Sequence, residues 1–213
     1  QKKRGFGRGF IVTNPNCAVA SFAPPLAALH RKFGVESVAV TTMQAISGAG
    51  YPGVSAMDIT DNVLPYIAGE EPKVEIEAQK ILGVFRDGAI EKADFTVSAQ
   101  CFRVDVIDGH TASVRVDLKK RATMEDVIET MKAFPSLGLY SSPERFMEVF
   151  DEPSRPQPRL DRDRGNGMTI TVGRVFPDNV FDYRFVSLSH NTVRGAAGSA
   201  ILNAELLIDK RLV

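Results

Sequence analysis

Apolar and polar positions follow two rhythms along this chain. Residues 17–33 carry Phe22, Leu26, Leu29 and Phe33 at helical spacing, and Gly34 stands where a helix stops. Pro24 and Pro25 interrupt that run, which predicts a kink or a helix restarting with the prolines in its first turn. Residues 11–13, in the apolar run Phe10-Ile11-Val12, read as the end of a strand. Residues 38–42 read as a strand, and residues 47–53 (SGAGYPG) are loop chemistry. Residues 74–84 predict a helix. Residues 95–104 and 111–118 alternate as strands on either side of Asp108-Gly109, which predicts a hairpin. Thr123 with Asp126 resembles a cap before a short helix carrying Val127, Ile128 and Met131. Residues 151–168 hold three prolines, four arginines and four acids, and read as a charge-balanced excursion rather than a packed element. Residues 169–175 and 181–188 make two more strands. Residues 192–207 predict a helix whose small residues, Gly195 to Ala200, let another backbone approach closely. Strands in hairpins with helices beside them predict an α+β domain with a largely antiparallel sheet.

Composition narrows this picture. The chain has 213 residues, of which 44% are apolar, enough for one large domain or two small ones. Lys plus Arg equals Asp plus Glu at 26 each, so no net field favours nucleic acid or an anionic membrane. The locally basic opening, Lys2-Lys3-Arg4 with Arg8, reads as a solvated leader. Two cysteines are too few for a disulfide framework, no apolar run has membrane-spanning length, and no secretory signal is present. A reducing cytosolic setting fits. The first residue is Gln, which suggests a processed product or a part of something longer.

Candidate chemistry begins at Asn14-Pro15-Asn16-Cys17, where Cys17 opens the first helix. A thiol there lies beside free N–H groups and the positive end of the helix dipole, which favour thiolate and could hold an oxyanion. The plainer reading is a small buried hydrophobe. Arg103 and His110 lie seven residues apart around the turn; one suits a carboxylate clamp and the other proton transfer, or both are ordinary surface groups. Gln44 precedes the Ser47-Gly48-Ala49-Gly50 loop and could orient a carbonyl or close a turn. That loop lacks the spacing and Lys-Ser/Thr ending of a phosphate loop. Glu70-Glu71-Pro72-Lys73 could meet an ammonium and a phosphate, or be the charged first turn of a helix.

Taken together, "NPNC", "VTTMQAISGAGYPGV", "DNVLPYIAGEE", "RVDVIDGHT", "RPQPRLDRDRGNGM" and "LSHNTVRGAAGSAILNAELL" resemble the aspartate-β-semialdehyde dehydrogenases, in the branch that archaea and fungi share. The blocks run in family order from about residue 10. The resemblance implies a glyceraldehyde-3-phosphate-dehydrogenase-like C-terminal domain. It implies Cys17 as nucleophile, Gln44 positioning the covalent intermediate and His110 as general acid/base. Arg103 would bind the substrate α-carboxylate, Glu70 its amino group and Lys73 inorganic phosphate, with Asn16 shaping the site. Ser47, Gly48 and Asn191 would lie near the nicotinamide end of NADP. The implied reaction is reductive dephosphorylation of L-aspartyl-4-phosphate to the semialdehyde through a cysteine thioester, in amino-acid biosynthesis.

Three departures touch local geometry: Ala18 where the family has a small hydroxyl residue, the prolines at 24 and 25, and "FRVDV" in place of "NRVPV". The family's nucleotide-binding domain is not legible before Cys17. The expected organisation is therefore residues 1–16 as leader and end of that domain, 17–190 as catalytic and dimerisation domain, and 191–213 as a helix returning to the missing domain. Such a chain is expected to lack the adenine pocket and an upstream phosphate-binding arginine, and to be nearly inactive alone. Its partners would be small-molecule substrate, phosphate and a second copy, as homodimer or dimer of dimers. Two alternatives are a dimerisation module without catalysis and an acyl reductase similar to malonyl-CoA reductases; N-acetylglutamyl-phosphate reductases share the logic but diverge more.

Overall fold

The computed structural model describes residue 5 and residues 11–213. The basic residues Lys2, Lys3, Arg4 and Arg8, and Phe10, lie outside the described residues. In chain order the elements are α1 (Cys17–Phe33), β1 (Val35–Gln44), α2 (Ala56–Ile59), β2 (Val63–Leu64), α3 (Glu70–Ile81), β3 (Val84–Arg86), β4 (Ala89–Glu91) and β5 (Thr96–Val104). Then follow β6 (His110–Leu118), α4 (Met124–Lys132), β7 (Met147–Val149), α5 (Pro158–Asp161), β8 (Ile170–Pro177), β9 (Tyr183–Ser189) and α6 (Gly198–Asp209).

Seven strands form one sheet in the order β2-β5-β1-β6-β9-β8-β7, and β3 with β4 makes a separate hairpin. Only β1/β5 and β7/β8 are parallel, so the sheet is mixed and mostly antiparallel, as the pattern predicts. Alternate residues of β1, β6 and β9 (Val38 and Val40, Val114 and Val116, Tyr183 and Phe185) face one side and are buried. Helix α1 lies across that side with Val19, Phe22, Leu26 and Leu29 wholly buried, and α3 and α4 pack beside it. The other face presents Gln100, Thr41, Ser113 and Val186 in a cross-strand row, none of them buried.

Several expectations change. Residues 11–13 are not a strand. Pro24 and Pro25 lie inside a single 17-residue helix, closed by Gly34 at φ 73 with its N–H on the His30 carbonyl. Tertiary burial of the apolar side outweighs two lost backbone hydrogen bonds. The helix foreseen at 74–84 begins at Glu70 and ends at Ile81, so the charged run is its first turn.

The predicted β5–β6 hairpin does not exist, because β1 lies between the two strands. A five-residue link, residues 105–109, crosses the end of β1 and spans two strand spacings, roughly 10 Å. Ile46 and Ser47 donate their N–H groups to the Val106 and Ile107 carbonyls at that crossing.

Residues 151–168 are also more ordered than an excursion. Asp161 is 1% exposed and accepts from Arg155, Arg164 and the Gln157 N–H. Arg162 Nη1 donates to the Asp108 carbonyl at 3.2 Å, so this segment backs the turn leading into His110. The last helix begins as a π-helical turn, Val193–Ala197, before α6.

Candidate active site

Three neighbouring strands deliver the site. Gln44 ends β1 in register with Arg103 of β5, and His110 opens β6 one residue before Thr111, the partner of Met43. All three side chains are on the α1 side and are buried at 2%, 5% and 0% exposure. The N-terminus of α1 meets them there, bringing Cys17 Sγ to 3.3 Å from His110 Nε2. Cys17 itself is half-buried.

Asn16 caps α1. Its Oδ1 accepts from the Ala18 and Val19 N–H groups at 2.8 and 3.2 Å, so these are not free for a ligand as the sequence suggested. Two acids of α3, two helical turns apart, hold Asn16 in turn. Glu77 Oε2 accepts from its backbone N–H at 2.6 Å and Glu70 Oε1 from its side-chain Nδ2 at 2.8 Å. Glu70 Oε1 also accepts from Gln44 Nε2 at 2.9 Å. Neither Glu70 Oε2 nor the Gln44 carbonyl oxygen accepts a hydrogen bond among the described residues. Glu71 and Glu75 accept from the N–H groups of Cys101 and Ala99, which ties α3 to β5. Glu77 is missing from the sequence reading, although its seven-residue spacing from Glu70 is a signal for one helix face.

Ala45 is the second residue that the sequence reading lacks. Its N–H donates to His110 Nδ1 at 3.1 Å, and its carbonyl accepts from Arg103 Nη1 at 2.7 Å. Backbone groups acting this way leave no trace in residue type. Gly48 lies against the same two side chains: an added Cβ would be 2.8 Å from His110 Cε1 and 2.9 Å from Arg103 Nη1. Gly195 fits against Cys17 in the same fashion, 2.7 Å from an added Cβ to the Cys17 Cβ, so the run of small residues does permit a close approach.

Asn191, 2% exposed, links two segments: its Oδ1 accepts from the Gly109 N–H and its Nδ2 donates to Ser47 Oγ, both at 2.8 Å. Ser47, Gly48 and Asn191 therefore stand together beside His110. Lys73 is exposed on the first turn of α3 and makes no hydrogen bond or ion pair among the described residues.

Burial pushes the Cys17 thiol pKa up, and the Glu70 charge adds to this. The N–H groups of Ala18 and Cys17 and the Arg103 charge oppose it without reversing it. The helix terminus alone thus does not make a resting thiolate. Burial also lowers the His110 pKa to about 3, helped by the charges of Arg103 and His190. The arrangement suits a sulfur that gains nucleophilic character when a ligand rearranges the surrounding charge.

Both cysteines are free. Among the described residues no cluster of His, Cys, Asp or Glu could hold a metal ion, and no helix is long and apolar enough to cross a membrane.

Known proteins with this geometry point one way. Residues 26–194 match the family described as semialdehyde dehydrogenase, dimerisation domain. An aspartate-semialdehyde dehydrogenase of Archaeoglobus fulgidus is 51% identical over all of this chain and 62% of its own length. One of Aspergillus fumigatus is 53% identical over 99% of this chain and 61% of its own. The crystal structure of the Candida albicans aspartate semialdehyde dehydrogenase with NADP superposes with a TM-score of 0.88 at 44% identity, covering 100% of this chain and 62% of that one. The chain thus spans about three fifths of the length of these relatives, and it belongs to the semialdehyde dehydrogenase family, whose dimerisation domain it contains.

Proposed function

We propose that this chain is the acyl-transfer part of an aspartate-semialdehyde dehydrogenase, which converts L-aspartyl-4-phosphate to L-aspartate 4-semialdehyde and phosphate. The approach of His110 to the Cys17 sulfur at 3.3 Å, with Arg103 beside both, carries this reading. The Cys17 sulfur, as an anion, bonds to the acyl carbon; phosphate leaves with the C–O electron pair, and a thioester remains. Arg103 spends one nitrogen on Ala45 and keeps its other donors for the α-carboxylate. Glu70 keeps Oε2 for the ammonium group. Neutralising its charge there would also lower the thiol pKa that Glu70 raises. Lys73 stands free for phosphate, Gln44 keeps its carbonyl oxygen toward the intermediate, and Asn16 fixes the head of α1.

NADP fits the cluster beside His110, where Ser47 accepts from Asn191 yet retains its own hydroxyl proton to donate, and Gly48 sets only backbone against the imidazole. When bound it supplies the hydride that reduces the thioester. His110 is within reach of the sulfur and of the oxygen that gains charge in each step. A homodimer or dimer of dimers, and a cytoplasmic setting that keeps both thiols reduced, belong to the same proposal. The unpaired Glu70 oxygen and Lys73 favour an amino-acid acyl phosphate over a malonyl thioester. The dimerisation-domain match and the bare sheet face favour a second reading, an association module without chemistry of its own.

The test joins the chain to the part of the Candida albicans relative that it does not cover, then measures phosphate-dependent oxidation of aspartate semialdehyde with NADP. Turnover is expected, with Cys17→Ser lowering kcat by at least about 10³-fold. Full activity in Cys17→Ser would end the proposal, and folded dimers without turnover would leave the association module.

A further inference from the structure

A backbone N–H can only donate a hydrogen bond. The Ala45 N–H points at His110 Nδ1 across 3.1 Å, so Nδ1 is the bare, accepting nitrogen. A neutral imidazole carries one proton, which then sits on Nε2. Nε2 is the atom 3.3 Å from the Cys17 sulfur. The ring therefore offers the sulfur a proton rather than a lone pair. The same peptide unit receives Arg103 Nη1 on its carbonyl, so one residue orients both groups.

We infer that Ala45 is a positioning residue of this site, and that it holds His110 as a neutral Nε2–H donor to the Cys17 sulfur and to the oxygen of its acyl adduct. The Cys17 proton then leaves to water at the half-buried sulfur, not to the imidazole. Protonating Nδ1 would set two N–H groups face to face. It would also place a second positive charge beside Arg103 in a ring with no solvent exposure. The charged or titratable groups around the ring are Arg103 from β5, Cys17 from α1 and His190 after β9, and burial with the two basic neighbours lowers the pKa to about 3. Across β9, Ser189 faces the ring in register and adds no charge. The inference rests on the acyl-transfer reading above only for its catalytic meaning; the protonation state stands by itself.

Two measurements on the chain alone test it, and neither needs substrate or cofactor. Histidine-labelled 15N spectra should show for His110, identified by its loss in His110→Asn, one protonated nitrogen at Nε2 and a bare Nδ1 from about pH 5.5 to 8.5. Alkylation of Cys17 by iodoacetamide should rise about tenfold per pH unit through neutrality without a plateau. A ring protonated on Nδ1, or on both nitrogens near neutrality, would overturn the inference. So would an alkylation plateau with an inflection near pH 6, the signature of a thiolate–imidazolium pair. Either result leaves the acyl-transfer proposal intact, and missing turnover in the joined enzyme would leave the tautomer result intact.

Discussion

Gly48 packs bare against His110 and Arg103, with less than 3.0 Å between an added Cβ and either side chain. The residue itself is exposed, so little of the fold depends on it. Gly48→Ala should therefore leave the melting temperature within about 2 °C while displacing the imidazole or the guanidinium. A misplacement on the order of 1 Å costs about 10²-fold in rate, and kcat/KM in the joined enzyme is the quantity to measure. Unchanged kinetics would mean that neither group needs its present position. At this scale the sequence was informative where residue type carries chemistry. Cys17, Asn16, Gln44, Glu70, Arg103 and His110 do meet, although Lys73 touches none of them. It was silent on Ala45, whose backbone holds two of these side chains and whose own side chain says nothing.

Elements explain why six of those residues meet although they come from five separate segments. Cys17 heads α1, Glu70 heads α3, and Gln44, Arg103 and His110 lie at one end of adjacent strands. Periodicity located α1 and the strands, and the Thr123–Asp126 spacing gave the capping box on α4, but the head of α3 lies four residues before its expected start. Thr123→Ala should lower stability by about 1 kcal/mol in denaturant titration, and no loss would show the cap to be idle. Strand order was not legible, because alternation fixes which residues share a face and not which strand is the neighbour. The 151–168 segment was likewise misread, since a run of mixed charge looks solvated until its partners are placed. Its centre is Asp161. Burial opposes ionisation there, but hydrogen bonds from Arg155, the Gln157 N–H and Arg164 hold the carboxyl below its usual pKa. A carboxyl whose pKa is lowered by folding stabilises above its unfolded value, about 4, and that stabilisation drains away as pH falls through the folded value. Asp161→Asn should lose about 3 kcal/mol at neutral pH, with the gap to wild type closing below about pH 4. A gap independent of pH would remove the charge from the explanation.

For the whole molecule, the unresolved balance is between two sheet faces. One is sealed by α1, α3 and α4. The other exposes the row Gln100, Thr41, Ser113 and Val186, polar enough to stay in water and flat enough to meet a copy of itself. An isologous two-fold contact there would bring the same row of each subunit together, so one substitution is felt twice. Val186 is the apolar member at the end of the row, on β9 between β6 and β8. Val186→Arg adds a cation to a face that already carries Arg115 and Arg184, both leaning on Asp178. In a dimer the two new charges would be buried without partners, a penalty of several kcal/mol. In a monomer the side chain would remain hydrated on the surface and the fold would keep its melting temperature. Light scattering should therefore give twice the monomer mass for the wild-type chain and the monomer mass for Val186→Arg, at unchanged secondary structure. A variant that stays dimeric would move the interface off this face, and a wild-type chain that is monomeric at high concentration would leave the sheet without the partner proposed for it.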